Sequence, residues 1–401
     1  MSHPQAPAVT AGPESFSIPK PETLPARPEF SSGPCPKRPG WNFESVAAKA
    51  FLGRSHRAAA PKAQLKNVVD RTARLLGLPE GYRLGIVPAS DTGAFEMAMW
   101  SMLGARPVDM LVWESFGAGW ATDATKQLKL DDCRVITAPY GELPDLGAIR
   151  PEADICFTWN GTTSGARVPN ADWIAADREG LTFCDATSGV FAQTLDWDKL
   201  DVTTFSWQKA LGGEGAHGVL ILSPRAVERL ETFTPPRPLP KIFRMTKGGK
   251  LIEGIFKGET INTPSMLCVA DCLDALEWVE AIGGVDATRA RADANMAAVQ
   301  AWADRTPWIE NLGVDPAARS NTSVCLRFTD PGIAALDDAG QRDFVKRMTK
   351  LLESEHAAYD IGGYRDAPPG LRIWCGPTVD TADVQALLPW LDWAFATARA
   401  A

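Results

Sequence analysis

Histidine is nearly missing from this chain, with four residues in 401. They stand at positions 3, 56, 217 and 356, so the helix-face pair Cys268 and Cys272 finds no partners for a zinc site, and no metal is expected. The eight cysteines include no Cys-x-x-Cys pair and fall mostly inside apolar runs, which reads as reduced, buried thiols. No apolar run approaches the ~18 residues that cross a bilayer. Positive charge is not in excess: the net charge of −8 removes the basic footprint of a nucleic-acid binder. The opening segment, Met1 to Ser15, lacks the charged-then-apolar pattern of a secretory leader. A cytoplasmic protein with neither membrane nor nucleic acid as partner is therefore expected. What remains is ordinary globular composition, 45% hydrophobic and 22% charged, on a chain long enough for two domains.

Residues 1–29 carry seven prolines and little periodicity, and read as an extended arm. Leu65, Val68, Val69, Thr72, Leu75 and Leu76 then repeat at helical spacing until Gly77 and Pro79 stop the run. Short apolar strands follow, among them Leu84–Pro88, Met110–Trp113, Ile155–Trp159, Leu181–Asp185, Val202–Ser206 and Val219–Leu222. Helical stretches such as Ala94–Leu103 and Gly119–Leu130 lie between several of them. Strands alternating with amphipathic helices predict an α/β domain over 30–284 with a mostly parallel sheet. From 285 to 401 the pattern predicts a smaller α+β domain, with strands near Ser323–Phe328 and Leu371–Trp374.

The most informative stretch is Thr203-Thr204-Phe205-Ser206-Trp207-Gln208-Lys209-Ala210-Leu211-Gly212-Gly213. It places a lysine and then glycines just past a strand, where open α/β sheets bind ligands. A lysine amine can form a Schiff base with an aldehyde cofactor if its site lowers its pKa. A solvated lysine is the bland alternative. Against it stands the preceding strand, Leu181-Thr182-Phe183-Cys184-Asp185, which also ends on a reactive group. Pyridoxal phosphate needs an acid beside its pyridine nitrogen to keep the ring electron-withdrawing, and Asp185 suits that role. Helix capping is the alternative for Asp185.

These residues, with Phe30-Ser31-Ser32-Gly33-Pro34, Ser55-His56-Arg57 and Asn262-Thr263-Pro264, give the chain its resemblance: it resembles the phosphoserine aminotransferases, in the class V group of fold-type I pyridoxal phosphate enzymes. The resemblance runs from Phe30 into the C-terminal domain. It implies pyridoxal 5′-phosphate on Lys209, with Asp185 at the ring nitrogen and Thr162 at the ring hydroxyl. Gln208 and Thr92 are implied at the cofactor phosphate, with Asp91 beside them where the family has a glycine-rich turn. An aromatic ring stacks on the cofactor in this family; Phe116 is the choice here, with Trp113 and Trp120 as rivals. Asn262 and Thr263 are implied to reach the phosphate from a neighbouring subunit, hence a homodimer with shared sites.

On the substrate side, the resemblance puts Arg372 at the α-carboxylate and His56 and Arg57 at the distal phosphate or carboxylate. Arg365-Asp366 stands where the family has a His-Arg pair, and Lys241, Arg244, Lys247 and Lys250 form a basic segment that could compensate. The implied reaction passes the amino group of L-glutamate to 3-phosphohydroxypyruvate, giving phosphoserine and 2-oxoglutarate, with a related phosphorylated 2-oxo acid of pyridoxine synthesis as a further substrate. The rivals are another class V transaminase of the alanine– or serine–glyoxylate type, a class V lyase or desulfurase using Cys35 or Cys375, and a pyridoxal-binding protein without catalysis. His217, close after Lys209, reads as structural rather than catalytic.

Overall fold

The computed structural model describes residues 18–400. Residues 1–17 of the proline-rich arm lie outside the described residues. Two helices come first, α1 (Phe43–Lys49) and α2 (Ala59–Leu76), the second ending on Gly77 in the left-handed conformation that glycine adopts freely. Seven strands then build one sheet: β1 (Arg83–Pro88), β2 (Val108–Val112), β3 (Cys133–Thr137), β4 (Asp154–Thr158), β5 (Thr182–Asp185), β6 (Val202–Ser206) and β7 (His217–Leu222). Their spatial order is β1-β7-β6-β5-β4-β2-β3. The pairs from β6 through β3 are parallel, while β7 runs antiparallel to both β6 and β1. One reversed strand in a parallel sheet matches the predicted α/β class.

The helices of this unit are α3 (Ser90–Met102), α4 (Ser115–Thr122), α5 (Pro224–Thr232) and α6 (Met266–Ile282). A hairpin of β8 (Thr246–Lys247) and β9 (Lys250–Leu251) precedes α6. Apart from the edge strand β3, the strands are buried on both faces, which is why they read as unbroken apolar runs. Alternation sorts them: Ile155 and Phe157 join α2 and α6 in one core, and Cys156 and Phe183 join α3 and α5 in the other. The helix expected over Gly119–Leu130 is divided. After α4 the backbone widens into a π-helical turn, Asp123–Gln127, where the Leu128 N–H reaches the Asp123 carbonyl.

Beyond α6 come α7 (Val285–Ala303), β10 (Ile309–Asn311), β11 (Ser323–Phe328), α8 (Pro331–Ala334), α9 (Asp338–Ser354), β12 (Leu371–Trp374) and α10 (Thr381–Ala400). The three strands form an antiparallel sheet, β10-β11-β12, against which the helices bury a third core. Phe30 belongs to that core, and its carbonyl accepts from Trp374 N–H. The N-terminal strand-like segment is thus held by the C-terminal unit. Thr23 accepts from the Trp390 indole and Ala26 N–H donates to Asp383.

Candidate active site

Buried acids mark the two ends of the large sheet in opposite ways. At the N-terminal ends of the parallel strands every buried aspartate has an arginine. Asp109 meets Arg134 and Arg150, Asp154 meets Arg229, and Asp201 meets Arg178 and Arg225. At the C-terminal ends, Asp91, Glu114 and Asp185 are equally buried and, among the described residues, none has a cationic partner within ion-pair distance. Burying unpaired carboxyls is costly, and folds keep such groups where chemistry uses them. All three line one cavity of about 320 Å³, with Lys209.

Lys209 follows β6 and is 9% exposed. Its Nζ donates to the Ser32 carbonyl. The Ser31–Pro34 turn is closely fitted around it: a Cβ added to Gly33 would collide with Nζ. Burial pulls the ammonium below the usual lysine range, and Arg372 adds to that, so the amine is easier to hold neutral. Asp185 closes β5. It accepts from the Trp120 indole at 3.1 Å and from Thr187 N–H at 3.0 Å. Burial pushes the Glu114 carboxyl up to about 7, although Gly117 N–H and Thr163 hydroxyl both donate to it.

The start of α3 forms another side of the cavity through Ser90, Asp91 and Thr92. No side chain caps this helix, so its first N–H groups are free for an anion. The turn into it is strained: Ala89 and Ser90, neither a glycine, both sit at positive φ, 67° and 54°. Gly93 is required at the next position but two, because a Cβ there would strike the Pro88 carbonyl. Thr92 is exposed to the cavity, whereas Asp91 turns inward to face Asp185. Gln208 and Thr162 line the same space; Thr162 is hydrogen-bonded to Ser188 through its hydroxyl and accepts from Ser323 through its carbonyl.

Of the three candidate rings, Phe116 and Trp120 line the cavity, one turn apart on α4, and Phe116 also meets Tyr364 at 5.6 Å between centroids. Trp113 does not line it; its indole is buried and donates to the Ala166 carbonyl. Arg372 lies over the Tyr364 ring, 5.5 Å from its centroid, close enough to act on Lys209. His217 is outside the cavity. It accepts from Ser265 N–H, packs on Trp207, and burial holds its imidazole down at about 4, all of which fit a structural neutral histidine.

His56, Arg57, Asn262, Thr263, Arg365 and Arg372 are not among the residues that line this cavity within one chain. Arg57, Asn262 and Thr263 are exposed, and Arg365 points to solvent with Asp366 at 3.2 Å. The segments carrying the first four residues are drawn together by the ion pair of Lys62 with Glu259. The basic segment is surface: Lys250 pairs with Glu231, and Arg244 donates to the Leu239 carbonyl. Glu114, Ser32 and the Gly33 contact were missed in the sequence. Glu114 carries a signal in the sequence, an acid between a strand and a helix. Cys35 and Cys375 are buried, and burial pushes the Cys35 thiol up to about 12 and the Cys375 thiol well above the usual range, opposite to what a nucleophilic cysteine needs.

A buried amine, an unpaired carboxylate, an uncapped helix start and orphaned polar atoms on Asp91, Thr158 and Gln208 fit a planar aldehyde carrying a phosphate. Comparison with known proteins agrees. Residues 142–339 match the family model for aminotransferase class-V. Over 376 residues the chain is 56% identical to the phosphoserine aminotransferase of Methanosarcina barkeri, covering 94% of this chain and 99% of that one. The fold superposes on a phosphoserine aminotransferase from Cytophaga hutchinsonii with a TM-score of 0.78 at 22% identity, covering 92% of this chain and 99% of the other. It also superposes on the alanine–glyoxylate aminotransferase of a Nostoc species, with a TM-score of 0.75 at 18% identity, covering 94% and 97%. The two structural likenesses speak for the fold alone. The near-full-length identity to a curated relative places the chain in the phosphoserine aminotransferase family of class V aminotransferases, as a pyridoxal phosphate-dependent transaminase.

Proposed function

We propose that the chain transfers the amino group of L-glutamate to 3-phosphohydroxypyruvate, giving O-phospho-L-serine and 2-oxoglutarate, and so serves serine biosynthesis. The observation that carries this reading is the 56% identity to a phosphoserine aminotransferase along almost the whole of both chains. The likeness to the Nostoc alanine–glyoxylate enzyme does not compete, because it lies in the backbone and not in the sequence.

Bound pyridoxal phosphate supplies an aldehyde that condenses with amines and a ring that draws electrons from the substrate Cα. The protein's own groups then divide the work. Lys209 would hold the cofactor, and its Nζ would take the proton from the substrate Cα and later return it. Burial lowers the pKa of that amine, so it is more readily neutral and able to accept a proton. Asp185 would hold the ring nitrogen and Thr162 the ring hydroxyl, while Phe116 and Trp120 would offer rings to stack. The free amides of α3, with Thr92 and Gln208, hold the cofactor phosphate. Arg372 takes the substrate α-carboxylate in a two-point grip.

The remaining candidates support a shared site. Since His56, Arg57, Asn262 and Thr263 do not reach their own chain's cavity, the reading assigns them to the cavity of a second subunit in a homodimer, His56 and Arg57 at the distal phosphate and Asn262 and Thr263 at the cofactor. Arg365, exposed and paired only with Asp366, is assigned to the same phosphate from its own chain. The experiment is a half-reaction: holoenzyme should convert to its amine-loaded form with phosphoserine or glutamate at micromolar to millimolar concentrations, and respond poorly to alanine. Comparable turnover with alanine and glyoxylate would replace the reading. The same assay with the phosphorylated 2-oxo acid of pyridoxine synthesis tests the wider substrate range.

A further inference from the structure

Asp91 lines the cavity but has no task in the transaminase reading. It stands in the strained turn before α3, 7% exposed, and its Oδ1 has no hydrogen-bond partner. Its carboxyl faces Asp185, with the hydroxyls of Thr187 and Thr204 beside it. Those two hydroxyls also have no other partner. Two carboxyls thus share a dry corner of the site, and no cation pairs with either among the described residues. Two like charges in that corner would repel strongly, so one of the two carries a proton.

The hydrogen bonds decide which. Asp185 already accepts from the Trp120 indole N–H at 3.1 Å and from Thr187 N–H at 3.0 Å, and such donors favour the ionised form. Asp91 has no N–H donor. We propose that Asp91 and Asp185 form a carboxylic acid–carboxylate pair, in which Asp91 keeps its proton and donates it in a hydrogen bond to Asp185, holding that carboxylate in place for the cofactor's ring nitrogen. Asp91 is then a positioning residue acting through Asp185. Burial and the charge of Asp185 both raise the Asp91 carboxyl well above the usual carboxylate range, in keeping with a retained proton. The other charged groups that act on Asp185's surroundings are Glu114 and Lys209, one of each sign, so neither relieves the pair of the need to share a proton. The inference also gives Asp91 a reason to stand where an ionised side chain would oppose the cofactor phosphate: it is neutral, and it is turned away.

The inference rests on Asp185 facing the ring nitrogen, and the test separates the two. The first readout needs no cofactor. In the apoenzyme at about pH 8, where Glu114 is largely ionised, the infrared difference between wild type and Asp91→Asn should contain the carbonyl stretch of one protonated carboxylic acid. The second readout uses the reconstituted enzyme. Asp91→Asn keeps an N–H donor toward Asp185 and should hold cofactor within about 3-fold of wild type in equilibrium dialysis, whereas Asp91→Ala, which loses the donor, should bind it about 10-fold more weakly. Absence of the acid band from the difference spectrum overturns the proposal. So does an Asn variant as weak as the Ala variant, or an Ala variant as tight as wild type. If Asp185→Asn leaves the pH titration of the bound cofactor's absorbance unchanged, the ring contact itself is wrong, and the infrared result still stands or falls on its own.

Discussion

Lys209 differs from the other lysines of the chain by being buried without a carboxylate partner; its Nζ finds a backbone carbonyl instead, that of Ser32. Removing the amine should therefore remove both cofactor attachment and the proton carrier. Lys209→Ala is expected to lower turnover by about 10²–10⁴-fold or more while leaving the fold intact, as read by circular dichroism. Gly33→Ala should act on the same atom from outside, because the new Cβ meets Nζ; slower cofactor incorporation is the expected pattern, with some loss of thermal stability because Gly33 sits at φ +157°. Glu114 gives a pH signature. Its carboxyl is raised to about 7 by burial, so the folded protein binds this proton more tightly than the unfolded chain does. Stability therefore falls as pH rises from about 4.5 to about 7, and this group's share of the fall is about 2–3 kcal/mol. Glu114→Gln cannot ionise. In urea titrations at about pH 5 and pH 8, wild type should lose about 2–3 kcal/mol more than the variant across that interval; equal losses would mean that Glu114 does not titrate there.

The active-site walls come from elements fixed far from the chemistry. The turn around Lys209 is carried by the segment Cys35–Arg38, which is bound to α6: Lys37 pairs with Asp271, and Arg38 grips Asp274 through two nitrogens at 2.7 and 2.9 Å. Asp274 is only 4% exposed. Arg38→Ala would leave it buried and unpaired, and should destabilise the protein by about 3 kcal/mol in denaturant titration, with cofactor affinity falling as the turn loosens. Much of this architecture was legible from the residues. The buried strands of a parallel sheet announce themselves as short apolar runs, and those ending in Asp185 and just before Lys209 pointed to the cavity. What could not be read was pairing across the chain. Nothing local says that Ser32 will cap Lys209, that Trp120 rather than Trp113 will meet Asp185, or that Asp91 will turn in toward a second acid. The π-helical turn at Asp123–Gln127 was hidden for a related reason, since a side-chain pattern does not report a backbone that inserts one residue per turn. The reversed direction of β7 was equally silent, being a matter of connection rather than composition.

Across the whole molecule, one chain gathers Lys209, Asp185, Thr162, Phe116 and Trp120 around one cavity, and leaves His56, Arg57, Asn262 and Thr263 outside it. The proposed homodimer predicts complementation between two inactive proteins. Lys209→Ala supplies an intact Arg57 to its partner, and Arg57→Ala supplies an intact Lys209. Mixed and allowed to exchange subunits, they should regain about a quarter of wild-type activity, because half the dimers are hybrids and each hybrid has one complete site. No recovery, with exchange demonstrated by mass, would place Arg57 in its own chain's site or outside any. The most direct check on the assembled enzyme is chemical. Borohydride reduction of the holoenzyme, followed by proteolysis and mass spectrometry of the peptides, should find the pyridoxyl phosphate group on Lys209 in nearly one-to-one amount. Finding it on another lysine, or finding an active enzyme from which reduction fixes no cofactor, would contradict the assignment of Lys209 on which the site is built.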